Sequence, residues 1–358
     1  MLGLCGVLVT TAADYTSPAL ALPGAVPPPD TAADQGVPWH YGDPHGEQRR
    51  LADGTASVDQ SHLAVLAVTG GDRLSWLHSL LSAQLEDVDP GSSATALALD
   101  PHGHVEHEIH LVDDGSTSWL ILEPGSAPDL LSYLDRMRFM LDVEVRDATA
   151  ERAAIWRPVS ERDPSYPTWL VPAEYDGRGS TPSGVDRGGG ADKYVADRPA
   201  LLPGSQVLVP REQLLAELGD DRAGSWALEA LRTAAAVPRQ GQETDHRTIP
   251  HEVGWIGPAV HLAKGCYRGQ ETIARVHNMG KPPRRLVLLH LDGSEGLLPA
   301  HGDPVTLDGR VVGWVGSAAR HYELGPIATA VVKRSVPPEA VLIVGGSIAA
   351  SQELVVLP

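Results

Sequence analysis

The sequence predicts an α+β protein whose C-terminal part is a small antiparallel β-barrel or sandwich. Two features of the residue pattern carry this prediction. Between residues 62 and 146, apolar segments follow one another with the spacing of strand, helix, strand pair, helix and strand. From residue 285 to the end, short alternating segments are separated by glycine, proline and Asp-Gly turns.

The composition is acidic and limits the expected partners. The 358 residues carry 28 Lys and Arg against 46 Asp and Glu, a formal net charge of −18. A nucleic-acid or anionic-membrane surface needs a basic footprint, so we expect neither partner. No run approaches the ~18 apolar residues of a membrane span. No Lys or Arg precedes Arg49 to form the positive start of a secretory signal, so a cytoplasmic protein is expected.

The cysteine count excludes several kinds of site. The chain has two cysteines, Cys5 and Cys266. Two cysteines make neither a disulfide framework nor one of the paired-cysteine zinc motifs. They also cannot fill the four thiolate positions of a typical iron–sulfur cluster, so a partner would have to supply ligands.

The N-terminal third contains the first predicted elements. Residues 1–45 are rich in proline, glycine and alanine and predict an extended lead-in, with regular structure beginning near His62. Residues 62–69 predict a strand. Asp72 is expected to cap a helix in which leucines recur at helical spacing as far as Leu85.

A predicted strand pair follows, at residues 94–99 and 104–112, joined by a turn with proline and glycine. Alternation in the second strand places Val105, His107 and Ile109 on one face and Glu108 on the other. For His107 three roles stay open: a satisfied core histidine, a donor or base lining a channel, and a metal ligand. The metal role is the weakest, because the strand directs His107 away from the neighbouring histidines.

The remaining elements are shorter. A helix beginning at Ser126 and a strand at residues 142–146 complete the first α+β unit. Residues 174–200 predict a loop rich in breaker residues, and two short helices are expected at residues 212–218 and 225–236.

The densest group of chemically useful residues is Lys264-Gly265-Cys266-Tyr267-Arg268-Gly269-Gln270-Glu271. Two cations flank one thiol, and nearby cations favour the thiolate. The glycines allow unusual backbone angles, and Tyr267 offers a stacking face. From the residues alone, a buried cysteine beside a turn with surface charges around it is an equally open interpretation.

This segment resembles the K-G-C-Y-x-G-Q-E signature of the YgfZ-type folate-binding proteins, relatives of the glycine-cleavage T-protein. The resemblance covers residues ~45–335 and includes Val68-Thr69-Gly70-Gly71-Asp72, Thr248-Ile249-Pro250-His251-Glu252 and Gly309-Arg310-Val311-Val312-Gly313. It implies three domains around a central channel that admits tetrahydrofolate. The corresponding boundaries are residues 46–150, 151–284 and 285–358, after the lead-in.

The resemblance also implies a function and site residues. The role would be support of the assembly or repair of iron–sulfur enzymes, chiefly [4Fe-4S] ones, with iron–sulfur client or assembly proteins as partners. The family's cysteine maps to Cys266. The flanking cations Lys264 and Arg268 are predicted to be catalytic residues together with it. Folate contacts are expected from His107, Glu108, Tyr267, Gly269, Gln270, Glu271 and Arg275. No metal site is expected.

Two alternative functions stay open. The first is a tetrahydrofolate-dependent aminomethyltransferase-like enzyme, as in the T-protein itself. The T-protein has an Asp-Asp pair where this chain has His107-Glu108, and Leu-Glu-Ala-Gly, with a folate-contacting glutamate, at Thr233-Ala234-Ala235-Ala236. The second alternative is a catalytically silent folate-binding scaffold. In each case Trp76, Trp226 and Trp255 are candidates either for stacking on a pterin or for core packing.

Overall fold

The computed structural model describes residues 15–86, 88–176, 196, 200–294 and 296–358. Most of the breaker-rich loop predicted at residues 174–200 lies outside the described residues, as does Cys5. Within the described ranges, no helix has both the length and the apolar character needed to cross a membrane.

The described part of the N-terminal region, from residue 15 onward, is packed against the rest of the described chain. A short 3-10 helix spans Pro18–Ala21, and it is followed by helix α1 (Pro44–Ala52) and strand β1 (Ser57–Asp59). Ala19 and Val37 are fully buried, and Asp34 is 8% exposed. The expectation that regular structure begins near His62 is therefore wrong. Proline and glycine here build turns that the core encloses.

The first sheet contains five strands in the order β3-β4-β5-β2-β6, all antiparallel. The strands are β2 (Ala64–Thr69), β3 (Ser93–Leu99), β4 (Val105–Asp113), β5 (Thr117–Leu122) and β6 (Glu144–Asp147). Helices α2 (Arg73–Leu80) and α3 (Ala127–Arg136) cover one face. The predicted strands and helices of this unit are confirmed in order and type.

Two details of the helices differ from expectation. Helix α2 ends at Leu80, one turn before the last leucine of the periodic pattern. Neither Asp72 nor Ser126 caps its helix through its side chain. Asp72 instead accepts the backbone N–H of Asp142 at 2.8 Å, so its carboxylate ties the start of α2 to the segment before β6.

The second sheet has the order β10-β1-β7-β9-β8. Its remaining members are β7 (Arg152–Arg157), β8 (Thr168–Leu170), β9 (Ser205–Pro210) and β10 (Arg222–Ala223), and the accompanying helices are α4 (Ala173–Asp176), α5 (Leu214–Leu218) and α6 (Ser225–Ala234). The pair of β1 and β10 is parallel and the others are antiparallel. Strand β1 precedes the first sheet in sequence, whereas the other strands of the second sheet follow residue 150. The second sheet therefore contains strands from both sides of this residue. The domain boundary at residue 150 remains a prediction.

The C-terminal part is a closed six-stranded barrel in which every neighbouring pair is antiparallel, so the predicted barrel is confirmed. Helices α7 (Pro250–Val253) and α8 (Gln270–Met279) precede it. Its strands are β11 (Arg284–Leu291), β12 (Pro304–Leu307), β13 (Arg310–His321), β14 (Gly325–Lys333), β15 (Leu342–Val344) and β16 (Ile348–Leu354). The closing strand β16 has a mixed polar pattern and was not expected.

The two sheets face each other across a shared apolar core. One face of β2 and β5 packs, through residues such as Val65 and Ile121, against Ala154 and Leu208 of the second sheet. The opposite face of the first sheet packs on α2 and α3. This layering means that alternate residues of β4 point either toward the helices or toward the second sheet.

A bulge in β4 breaks the predicted alternation. Ala98 pairs with His107, but the next residue Leu99 pairs with Val105, which leaves Glu106 as an extra residue. Val105 therefore packs in the core below α7 and the barrel, whereas Ile109 packs on α2 and α3. The expectation that Val105 shares a face with Ile109 is wrong, because it assumed an unbroken two-residue period.

Candidate functional site

A cavity of about 880 Å³, counted out to its open mouth, lies between the two sheets and next to α6. Much of its wall is aromatic or aliphatic, with Trp156, Trp169, Leu228 and Trp255 among the lining residues. A concave apolar space with a few polar groups is the usual form of a small-molecule site. We take it as the candidate site.

One buried guanidinium organises the polar part of the wall. The side chain of Arg239, 11% exposed, donates to Glu123 at 2.6 and 2.8 Å and to Asp34 at 2.7 Å. Glu229 lies 3.7 Å away. Burial alone would raise the pKa of Asp34, but Arg239 and His62 hold it well below its ordinary value. The N-terminal region, the end of β5 and α6 thus meet at one cation.

A second guanidinium joins the cavity to the barrel. Arg232 of α6 binds Glu229 through two hydrogen bonds, at 2.9 and 2.6 Å, and reaches Glu243 at 3.2 Å. It also donates to Ser317 of β13, and Glu243 accepts from Thr329 of β14 at 2.5 Å. Burial would raise the pKa of Glu229, but the pair with Arg232 lowers it. Every guanidinium nitrogen of Arg232 therefore donates to a protein group. Arg239 donates through Nε and Nη2, and its Nη1 lies 3.7 Å from Glu229.

Glu108 of β4 is different from the other carboxylates of the wall. Its Oε2 accepts the backbone N–H of Gln240 at 2.9 Å, and its own N–H donates to Gln240 Oε1 at 2.7 Å. Its Oε1 lies 3.6 Å from His110 Nε2. Among the described cavity-lining carboxylates, Glu108 alone has no guanidinium partner.

His110 and Trp169 form a flat surface beside Glu108. Their rings are stacked, with centroids 3.7 Å apart and an interplanar angle of 4°. His110 Nδ1 lies 2.6 Å from Gln206 Oε1, and the amide nitrogen of Gln206 donates to Gln60. The Gln206 oxygen is thus the acceptor, and His110 Nδ1–H donates to it.

His107 lies on the opposite face of β4, away from the cavity. It pairs with Ala98, whose face packs on α2 and α3, and Asp129 of α3 is its charged neighbour. Burial lowers the pKa of His107, against the opposing effect of Asp129. His107 therefore does not line this cavity, because successive residues of a strand point in opposite directions and Glu108 faces it.

Lys264 is held far from solvent and does not lie free beside the cysteine. Its Nζ donates to the carbonyl oxygens of His78, Leu81 and Ala83 at 2.5, 2.5 and 2.9 Å. These carbonyls end α2 and begin the following loop, where a helix leaves its acceptors unpaired. Burial lowers the pKa of Lys264 from 10.5 to about 7. Lys264 thus fastens the signature segment to the first α+β unit.

The other members of the signature lie around an exposed Cys266. Arg268 forms an ion pair with Glu106 at 3.0 Å and lies over the Tyr133 ring. Tyr267 is buried in the core, where burial raises its pKa, and its ring is 5.1 Å from Lys264 Nζ.

Gly269 precedes the first residue of α8 and has a left-handed conformation with φ of +81°. Its backbone packs so closely on the turn between β3 and β4 that a Cβ there would lie 2.7 Å from the Asp100 carbonyl oxygen. Gln270 donates to the Lys264 carbonyl oxygen at 3.3 Å. Glu271 and Arg275 form an exposed ion pair at 2.8 Å.

The structure therefore separates two groups that the sequence placed together. Of the predicted folate-contacting residues, Glu108 lines the cavity, and none of residues 264–271 does so. Of the three tryptophans considered for stacking, Trp255 lines the cavity. Trp76 is buried and donates to the Met137 carbonyl oxygen, and Trp226 stacks on Trp39.

Sequence reasoning missed most of the cavity wall. Asp34, Glu123, Glu229, Arg232 and Arg239 were not singled out. Their pairing joins residues up to 205 positions apart in sequence, as between Asp34 and Arg239. One ion pair could have been predicted from the sequence. Buried arginines need carboxylate partners, and Glu229 lies three residues before Arg232 on the predicted helix α6, where the two side chains can meet.

Comparisons with known proteins agree with this fold. No protein-family model matches the chain. A chloroplast protein of Arabidopsis thaliana, named as a transferase, is 28% identical over 291 residues, covering 77% of this chain and 66% of the plant protein. An aminomethyltransferase of Rippkaea orientalis is 26% identical over 327 residues, covering 84% of each chain.

A solved structure is similar over nearly the whole chain. The glycine cleavage system aminomethyltransferase T from Bartonella henselae superposes with a TM-score of 0.68 at 18% identity, covering 92% of this chain and 93% of that one. This likeness shows the fold. Together the relatives support the broad glycine-cleavage T-protein superfamily and leave open which branch the chain represents.

The close packing of Gly269 on the β3–β4 turn can be tested with a matched control. We expect Gly269→Ala to lower the free energy of unfolding by at least about 1 kcal/mol more than Gly302→Ala, measured by urea denaturation. Both glycines have φ of +81°, but a Cβ at Gly302 meets no atom within 4 Å. Equal losses would show that the signature segment does not pack on the β3–β4 turn.

The buried ammonium gives a second test. We expect Lys264→Met to lower the free energy of unfolding by about 2 kcal/mol, because three carbonyls lose their donor. The exposed Lys281→Met is the control and should have little effect. A neutral outcome for Lys264→Met would mean that the three contacts do not hold the segment.

The same residue predicts a pH dependence. Its pKa is about 7 when folded and 10.5 ordinarily, so between these values the unfolded chain binds one proton more. The contribution of Lys264 to stability therefore rises with pH through this window, by at most about 1.4 kcal/mol per unit. Relative to Lys264→Met, the wild type should gain stability from pH 7 to 9. A constant difference would contradict the lowered pKa.

Proposed function

We propose that the chain binds a reduced folate in the cavity between its two sheets and uses it in one-carbon transfer, as an aminomethyltransferase-like protein. The observation that carries this proposal is Glu108, a carboxylate in an aromatic wall without a guanidinium partner among the described residues. A pterin presents an N–H pair that a carboxylate accepts in a charge-assisted contact.

The cavity fits such a ligand in the character of its wall. Trp156, Trp169 and Trp255 supply flat apolar surface. A wall of this kind would keep water from the ring while Glu108 orients it. When bound, tetrahydrofolate supplies the nitrogen atoms that accept a one-carbon unit.

The positions at which this chain differs from the T-protein pattern determine which residue we assign to the pterin contact. Ala234 and Ala236 are fully packed into the core, so the family's folate-contacting glutamate has no substitute at its own position. Glu108 occupies one position of the family's Asp-Asp pair, with one more methylene. We therefore assign the N–H contact to Glu108.

The first experiment measures tetrahydrofolate affinity by calorimetry for the wild type and Glu108→Gln. We expect the dissociation constant to rise about tenfold or more in Glu108→Gln, since a charged acceptor becomes neutral. Glu106→Gln is the matched control, because Glu106 is exposed on the same strand and pairs with Arg268. Formation of methylenetetrahydrofolate from an aminomethyl donor, assayed in parallel, tests turnover. Absence of binding in the wild type would refute the proposal.

A second candidate function rests on Cys266. Its exposure outside the cavity, in a segment that resembles the YgfZ-type signature, favours contact with another protein. The implied role is support of [4Fe-4S] enzymes, with client proteins supplying the cluster ligands.

This role predicts that Cys266→Ser lowers [4Fe-4S] enzyme activity in cells under oxidative stress and leaves tetrahydrofolate affinity unchanged. Cys5→Ser serves as the control for loss of a thiol. Unimpaired [4Fe-4S] enzymes in Cys266→Ser cells would remove the second candidate.

A further inference from the structure

Strand β4 extends beyond its neighbour β5. The register between these two strands begins at His110, which pairs with Ile121, whereas β3 follows β4 back to Val105. Among the described residues, one edge of β4 between Val105 and Ile109 therefore has no strand beside it. Backbone groups on such an edge need hydrogen-bond partners from elsewhere in the chain.

The side chain of Gln240 supplies these partners. Its Oε1 accepts the backbone N–H of Glu108 at 2.7 Å, and its Nε2 donates to the backbone carbonyl oxygen of Glu106 at 2.8 Å. These two backbone groups flank His107, and one residue of a parallel neighbouring strand would bind the same two groups. The Gln240 amide thus takes the place of a peptide group of the missing strand.

The backbone of Gln240 also holds the Glu108 side chain. Its N–H donates to Glu108 Oε2 at 2.9 Å. The other carboxylate oxygen, Oε1, lies 3.6 Å from His110 Nε2, and no described group donates a hydrogen bond to it. One oxygen of Glu108 is therefore fixed by Gln240, and the other is available at the cavity wall.

Gln240 is itself held by a tight turn at residues 239–243. The carbonyl oxygen of Arg239 accepts the N–H groups of Gln242 and Glu243, each at 3.1 Å, and the Arg239 N–H donates to the Glu243 carboxylate at 2.8 Å. Glu243 is fully buried and accepts from Thr329 of β14 at 2.5 Å. The turn is therefore fastened to the barrel on one side and to β4 on the other.

We infer that Gln240 is a positioning residue of the candidate site, which fixes the Glu108 carboxylate without contacting the ligand. This inference rests on the proposed function, which assigns the ligand contact to Glu108. Gln240 does not line the cavity, whereas Glu108 and Arg239 do. A carboxylate that is already held in place loses less conformational freedom when a ligand binds, so its contact is stronger.

The test is a double-mutant cycle on tetrahydrofolate affinity, measured by calorimetry on the full chain for the wild type, Glu108→Gln, Gln240→Met and the double variant. Methionine has a similar length and lacks the amide donor and acceptor. We expect Gln240→Met to raise the dissociation constant about threefold or more in the wild type and to have little effect in Glu108→Gln, because Gln240 acts through Glu108. Gln242→Met, in the same turn, is the matched control and should leave the affinity unchanged.

Effects of the two substitutions that multiply independently would overturn the inference, since Gln240 would then act on the ligand directly or on the fold as a whole.

A second measurement needs no ligand. Hydrogen exchange followed by NMR should show the Glu108 amide exchanging about tenfold or more faster in Gln240→Met than in the wild type or Gln242→Met, because this N–H loses its acceptor. Equal exchange in all three proteins would also overturn the inference and would leave the proposed function standing. Absence of tetrahydrofolate binding in the wild type would instead refute the proposed function and, with it, the inference.

Discussion

The shared ionic contacts of Arg239 are the interaction on which the rest of the candidate site depends. One guanidinium holds a carboxylate from the N-terminal region, one from the end of β5 and one from α6. Removing a partner from such a buried cluster would leave an uncompensated charge, so its members constrain one another. Because Asp34, Glu123 and Glu229 each pair with an arginine, Glu108 is the cavity-lining carboxylate of the described residues without a guanidinium partner.

Strand β4 contributes residues to two separate regions, the cavity between the sheets and the surface around Cys266. Glu108 faces the cavity, whereas Glu106, displaced by the bulge, pairs with Arg268 beside the exposed Cys266. Gln240 contacts both residues of the strand, through the Glu106 carbonyl oxygen and the Glu108 carboxylate. A folate site and a cysteine site can therefore coexist in one chain without sharing a wall.

The sequence predicted the parts of the fold in which burial has a simple period. Strands β2, β3 and β4 and most strands of the barrel alternate or form short apolar runs between turns, and they formed as expected, whereas β5 was not predicted. The second sheet was missed because β7 is buried on both faces and its partners are distant in sequence. Of the two neighbouring residues named through the resemblance, Glu108 lines the cavity and His107 lies on the opposite face of β4. The bulge at Glu106 has no signature in the residues themselves.

The most direct measurement of the central claim is a crystal structure of the chain with bound 5-formyltetrahydrofolate, a stable reduced folate. The account predicts the pterin ring between the two sheets, with ring N–H groups within hydrogen-bond distance of Glu108. A pterin ring bound elsewhere, such as beside Cys266, would contradict it.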